Sequence, residues 1–330
     1  MQIDLKTVAI EPRRDGFDHL KRRFGDKAAS RYQEASYDIQ PAENFHYRPT
    51  WDPKQELYDP TLTKIEMADW YAFADPRQYY YHTYTIARSK LQERAEAAFT
   101  FVQSRQLLSA LSEGLVERAA ALLVPLRHVA WASNMGNTFV AGYGYGVTFT
   151  QPCMFASLDQ LSVAQYLSRI GLELGGKTAL EEAKEAWMSE AAWQPLRRLA
   201  ERSLVTRDPF ELLVALDFVL DGLIHELVYA RCVDGKLAAE GGAPIGMMCQ
   251  VIGDLHKDGV RWVDATLKTA ASESEANATH LSTWIRSHLN ASTEALEPVI
   301  APILGDETPS ALAEAKTKLE QRAKKAGVPL

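Results

Sequence analysis

Two stretches of this chain repeat apolar residues every three or four positions, and each stretch carries one histidine. Leu115, Ala119, Leu122, Leu123, Leu126 and Val129 form the first stripe, and Leu212, Leu216, Val219, Leu220, Leu223 and Leu227 the second. That period puts each set on one face of an α-helix wide enough to face a core. His128 belongs to the first stretch and His225 to the second, 97 residues later. The interval leaves room for one further long, broken helix between them. No run of 4 to 8 residues alternates convincingly as a half-buried strand would, so the chain is expected to be all-α.

Punctuation along the chain agrees with that reading. Asp75-Pro76 is predicted to cap and open a helix running through Tyr80, Tyr84, Leu91, Ala95 and Phe99. Pro125 inside the first stripe removes a backbone donor and predicts a kink near Val124. A helix over 158–174 is expected to end at Gly175-Gly176, with another from Ala179 to about Leu204. Asp208-Pro209-Phe210-Glu211 reads as a helix start with a glutamate placed for a capping box. Gly241-Gly242-Ala243-Pro244 reads as a connection between helices.

The two histidines carry the chemical question. In a carboxylate-bridged di-iron bundle, two helices each supply Glu-x-x-His, with both side chains turned inward. Here the corresponding runs are Pro125-Leu126-Arg127-His128 and Gly222-Leu223-Ile224-His225, and both lack the glutamate. The other two carboxylates, each a helix length upstream, would fall near Ala95 and Met188. Glu96 and Glu190 are close by, but one residue turns a helical side chain by about 100°. Iron needs oxygen donors beside nitrogen, so the sequence reads as a di-iron fold without its iron site. Asp221, four residues before His225, could share its face and form a weak Asp-x-x-x-His half-site. The plainer expectation for both histidines is a hydrogen bond to a backbone carbonyl or a neighbouring acid.

Composition fits a large helical body, with 46% apolar and 24% charged residues. A net charge of −7 gives no general attraction to nucleic acid. Cys153, Cys232 and Cys249 are widely spaced and read as buried free thiols. No apolar stretch is long enough to cross a bilayer and the start has no signal core, so a cytoplasmic location is expected. Residues 1–75 differ from the rest, with prolines at 12, 41, 49, 53 and 60 among Phe24, Tyr32, Tyr37, Phe45, Tyr47, Trp51, Tyr58, Trp70 and Tyr71. This is an extended arm whose aromatics need a surface, either its own bundle or a partner chain. Gly142-Tyr143-Gly144-Tyr145-Gly146 lacks the context of a phosphate loop and reads as close helix packing or a broken helix. The Tyr79-Tyr80-Tyr81 run must expose some of its rings. The tail from Ser310 reads as a solvated charged helix.

Longer signatures then become visible. Arg22-Arg23-Phe24-Gly25-Asp26-Lys27, Ser30-Arg31-Tyr32-Gln33-Glu34, Asn44-Phe45-His46-Tyr47-Arg48-Pro49, Trp51-Asp52-Pro53, Asp75-Pro76-Arg77-Gln78-Tyr79-Tyr80-Tyr81, Leu126-Arg127-His128 and Trp193-Gln194-Pro195-Leu196-Arg197-Arg198 resemble the β subunit of bacterial multicomponent monooxygenases, most of all that of phenol hydroxylase. The resemblance implies a ferritin-like bundle over residues 76–330 with additional C-terminal helices, and an arm over 1–75 that packs on a partner. It implies a complex that converts phenol or methylphenols to catechols with O2 and electrons from NADH. This chain would be its non-catalytic structural subunit, with no catalytic, cofactor or metal residues of its own. The di-iron centre would lie in a catalytic α subunit, beside a small γ subunit, with two copies of each chain and a transient regulatory protein and reductase. Two other function classes stay open: a self-standing metal-dependent oxidase with unusual ligands, and a docking module for a reductase or regulatory protein.

Overall fold

The computed structural model describes residues 16–40, 48, 50 and 52–330. Phe45, Tyr47 and Trp51, with prolines 12, 41 and 49, lie outside the described residues. The body consists of α1 (Tyr81–Ser104), α2 (Glu113–Leu123), α3 (Leu126–Tyr143), α4 (Val147–Ser189), α5 (Gln194–Ser203), α6 (residues 209–242), α7 (Ala243–Glu273), α8 (Glu275–Leu304) and α9 (Thr308–Lys325). No strand occurs among the described residues. Both predicted stripes are buried along their whole length.

The expected break at Pro125 is present. α2 stops at Leu123, Pro125 heads α3, and the helical ladder resumes with His128 N–H donating to the Pro125 carbonyl at 3.0 Å. The long helix between the two histidines is α4, and it kinks where Gly176 takes φ +63°, a left-handed conformation that suits glycine. It starts at Val147, earlier than the periodicity suggested. α3 and α4 form the most extensive helix pair. Ser157 holds their seam, accepting from Asn134 Nδ2 at 2.9 Å and lying 2.7 Å from the Thr138 hydroxyl.

Three sequence expectations need correction. Asp75-Pro76 does not open α1. Gln78 adopts φ +54°, which breaks the helical path, and Tyr80 heads the helix instead. Asp208 does cap α6, accepting from the N–H of Phe210 and Glu211, but Glu211 makes no capping box. Its carboxylate lies 3.2 Å from His288 on α8. The charged tail is not merely solvated: α9 buries Ala311, Leu312, Ala315, Leu319 and Ala323. Arg322 sits 4.5 Å over the Phe218 ring and donates to Asp264.

The described part of the arm folds back on its own bundle. Alternate backbone N–H groups of an extended run are taken up by body side chains, Lys64 by Asp208, Glu66 by Asn277 and Ala68 by Glu273, at 2.8–3.0 Å. The run then delivers Trp70 and Phe73 into the core, where Phe73 packs with Phe149 and Phe210, themselves stacked at 5.1 Å. Gly146, just after α3, permits this approach. A Cβ on Gly146, at φ +84°, would sit 3.1 Å from the Trp70 Cβ. Residues 16–40 lie on the same side, with Ser36 bonded to Gln151 and Arg23 clamping Asp38 and Asp69.

Candidate functional site

The two sequence-marked histidines end up in different surroundings. His128, half-buried on α3, stacks on Trp187 at 5.3 Å, and its Nε2 has no hydrogen-bond partner among the described residues. The hydrogen bond expected for it is therefore missing at that atom. Burial, with the charges of Arg127 and Lys184, lowers its pKa to about 4, so the ring is neutral at pH 7. The α3 side chains that line the central cavity are Leu126, Val129, Ala130 and Ser133, and His128 is not among them.

His225 does reach that cavity, and it has company that the sequence reading missed. Its ring stacks on His256 of α7 with centroids 3.7 Å apart, and His256 Nδ1 lies 2.5 Å from Asp221 Oδ2. Asp221, His225 and His256 thus form a tight cluster, of which only the first two share a helix. Burial drives the pKa of His225 down to about 3, and Asp221 opposes this only in part. Burial also pushes Asp221 upward, but the neighbouring imidazoles outweigh it and hold the carboxyl at about 2. One turn earlier, Asp217 accepts from Asn137 Nδ2 at 2.9 Å. Burial and repulsion from Asp221 raise its pKa to about 7 against the opposing effect of the Asn137 hydrogen bond.

The rest of the polar centre is an ion-pair lattice. Arg77 and Asp75 are fully buried partners, with Arg77 Nε and Nη2 both 2.9 Å from the carboxylate. Arg88 grips both oxygens of Asp159 at 2.6 Å and also reaches Asp258 at 2.9 Å. Tyr84 and Tyr79 donate to Asp159 and Asp258. The carboxylates that converge here are thus met by guanidinium groups and phenols.

A bridged iron pair does not fit this arrangement. It takes a carboxylate from each of four helices and a histidine from two of them. Pro125 and Gly222 stand where two of the glutamates would be, and a Cβ on Gly222 would already lie 3.2 Å from Leu319. Ala95 is buried and offers no ligand, while Met188 is exposed. Glu96 turns to Arg169 at 2.6 Å, and Glu190 is exposed beyond the end of α4. The three cysteines are free and buried, as expected. None of the described helices is long and apolar enough to cross a membrane.

One surface feature stands out. On either side of the Ser157 seam, α3 exposes Trp131 and Met135, and α4 exposes Met154, Leu158 and Leu161, each between 39% and 51%. Helical spacing of three, four and seven keeps each set on one side of its helix. Asn134 and Ser157, which face each other across the seam, then place both sets on the same outer surface. The result is a contiguous apolar ridge.

The sequence profile of the methane/phenol/alkene hydroxylase family matches residues 51–274. The chain is 43% identical to the oxygenase component DmpL of phenol 2-monooxygenase from Pseudomonas sp. (strain CF600), over 99% of this chain and 98% of that one. It is 23% identical to the hydroxylase component subunit beta of the toluene-4-monooxygenase system of Ectopseudomonas mendocina, over 76% and 77% of the two chains. Its fold superposes on a chain of the crystal structure of xenon-pressurised phenol hydroxylase from Pseudomonas sp. OX1 with a TM-score of 0.90, at 42% identity and 98% coverage of each chain.

Proposed function

We propose, since this chain belongs to the methane/phenol/alkene hydroxylase family, that it is the non-catalytic β subunit of a phenol-hydroxylating complex. The observation that carries this reading is the bundle centre itself. Where a bridged iron pair needs carboxylates, this chain holds Pro125, Gly222, Ala95 and Met188, and two of the three buried acids among the described residues, Asp75 and Asp159, are bound to arginines. Such a chain holds no iron pair and activates no oxygen. Its contribution is to support a separate catalytic subunit that contains the di-iron centre and oxidises phenol or methylphenols to catechols, with electrons that start from NADH.

The ridge of Trp131, Met135, Met154, Leu158 and Leu161 supports the scaffold role, because an apolar strip of that kind is costly to leave in water. The arm supports it differently. Ile65, Trp70 and Phe73 anchor its last part in the chain's own core, which leaves the exposed residues between them and the part of the arm before them to reach a partner. A catalytic subunit, a small third subunit and a second copy of the whole protomer are the partners this implies, with a regulatory protein and a reductase binding transiently. A cytoplasmic location goes with NADH as the electron source.

The test is co-expression with the catalytic subunit. Trp131→Glu combined with Leu158→Glu should leave this chain helical and abolish co-purification, and the chain alone should show no phenol-dependent O2 consumption with chemical reductant. Unchanged assembly would overturn the scaffold surface. Turnover by the isolated chain would overturn the non-catalytic reading.

A further inference from the structure

The cluster on α6 and α7 is not used by the scaffold role. Asp221, His225 and His256 offer one carboxylate oxygen and two imidazole nitrogens, all within 4.8 Å of one another. Such borderline donors suit zinc and the later divalent first-row metals. A second feature at the same place points to an ion. Asp217, one turn before Asp221, is only 8% exposed, and its Oδ2 has no hydrogen-bond partner among the described residues. It lines the same internal cavity of ≈ 60 Å³ as the three clustered residues. An unsatisfied buried carboxylate oxygen is costly unless something compensates it. On the other side, His225 and His256 border an outer groove of ≈ 470 Å³, which gives an ion a way in.

We propose that Asp221, His225 and His256 bind a single divalent transition-metal ion, zinc by the match of two imidazoles and one carboxylate to a tetrahedral site, with the remaining coordination position turned toward Asp217. Donor atoms around a tetrahedral zinc are about 3.4 Å apart, given zinc–nitrogen bonds of about 2.1 Å. Binding therefore tilts the two stacked imidazoles toward a common point and opens the 2.5 Å contact between Asp221 and His256. The ion pins α6 to α7. It is one ion, held by one carboxylate, and is separate from any iron-pair chemistry.

The experiment uses the full-length chain, stripped with chelator, desalted, and loaded in parallel with Zn2+, Co2+ or Fe2+ before a second desalting and elemental analysis. Retention of about one zinc per chain is expected, with a higher melting temperature and a visible Co2+ spectrum of nitrogen and oxygen ligation. His256→Gln and Asp221→Asn should each lower zinc affinity at least tenfold, while His128→Gln should retain the ion. Zinc should also protect His225 and His256 of the unmodified chain from diethyl pyrocarbonate, a readout that does not depend on a variant folding. Zinc content near zero, equal uptake by the folded variants, or absence of protection would each overturn the site. Tighter retention of Fe2+ than of Zn2+ would overturn the zinc assignment.

Discussion

Asp217→Asn should stabilise this protein, and the gain should depend on pH. In the fold the Asp217 carboxyl has its pKa raised to about 7 by burial, whereas in the unfolded chain it returns to about 3.8. The folded form therefore holds a proton that the unfolded form releases, and the resulting stability is present below the unfolded value and lost as pH rises toward 7. Once both forms are ionised, the difference amounts to about 4 kcal/mol, at about 1.4 kcal/mol per pH unit. At pH 5 only about 1.7 kcal/mol has been lost, because that pH is only about one unit above the unfolded value. Asparagine keeps the oxygen that accepts from Asn137 Nδ2 and carries no charge at any pH. In chelator-treated protein, the advantage of Asp217→Asn in urea unfolding should therefore be about 2.5 kcal/mol larger at pH 8.5 than at pH 5. The same advantage at both pH values, or a loss of stability at pH 8.5, would refute the argument that this acid is buried without adequate compensation.

Arg88→Met should cost about 3–5 kcal/mol, because it leaves Asp159 buried without the group that holds both its oxygens. The double variant with Asp159→Leu should recover much of that loss in thermal unfolding. His128→Ala should lower stability modestly at pH 8 through the lost stacking on Trp187, and the gap to wild type should narrow as pH falls from about 6.5 toward 4. The sign follows from the depressed histidine: the folded ring stays neutral while the unfolded one takes up a proton. A gap that widens in acid would contradict it. In the proposed complex with a catalytic subunit, the iron content should not change in this variant.

The helical layout was legible because apolar periodicity and proline positions act locally. Pro125 breaks a helix wherever the rest of the chain goes, and the Leu212 stripe needs only a core to face. Capping was less legible, since Asp75 reads as a cap in isolation but is claimed by Arg77 and by the Tyr32 hydroxyl, 43 residues away, which accepts from its backbone N–H. The site was half legible. Asp221 and His225 share a face at a spacing of four, but His256 belongs to another helix and no local pattern links it to them. Two π-helical stretches, Val214–Leu220 and His225–Gly242, also flank the short α-helical turn that carries Asp221. The wider turns do not displace the apolar face, since every residue of the Leu212 to Leu227 stripe is still buried. His128 and His225 hold corresponding motif positions but do not meet, because Trp187 takes the ring of His128.

A bundle with acids at its centre must supply positive charge or bear a cost, since an unpaired buried carboxylate is destabilising. In this chain the positive charge comes from outside the helices as well as from within them. Arg88 is on α1, but Arg77 and its partner Asp75 lie in the turn that ends the arm, and the Arg77 guanidinium lies over both Tyr79 and Trp262 and lines the central cavity. The arm is thus part of the bundle's electrostatics and not only a strap across its surface. Arg77 and Arg88 serve Asp75, Asp159 and Asp258. Asp217 and Asp221, on α6, have no arginine within ion-pair distance among the described residues. One of them is met by His256 and the other has a bare oxygen, so charge is left uncompensated on the face of α6 where two imidazoles converge. That imbalance is the physical ground for proposing a cation at the α6–α7 contact and not beside Pro125 and Gly222, where a bridged iron pair would need its carboxylates.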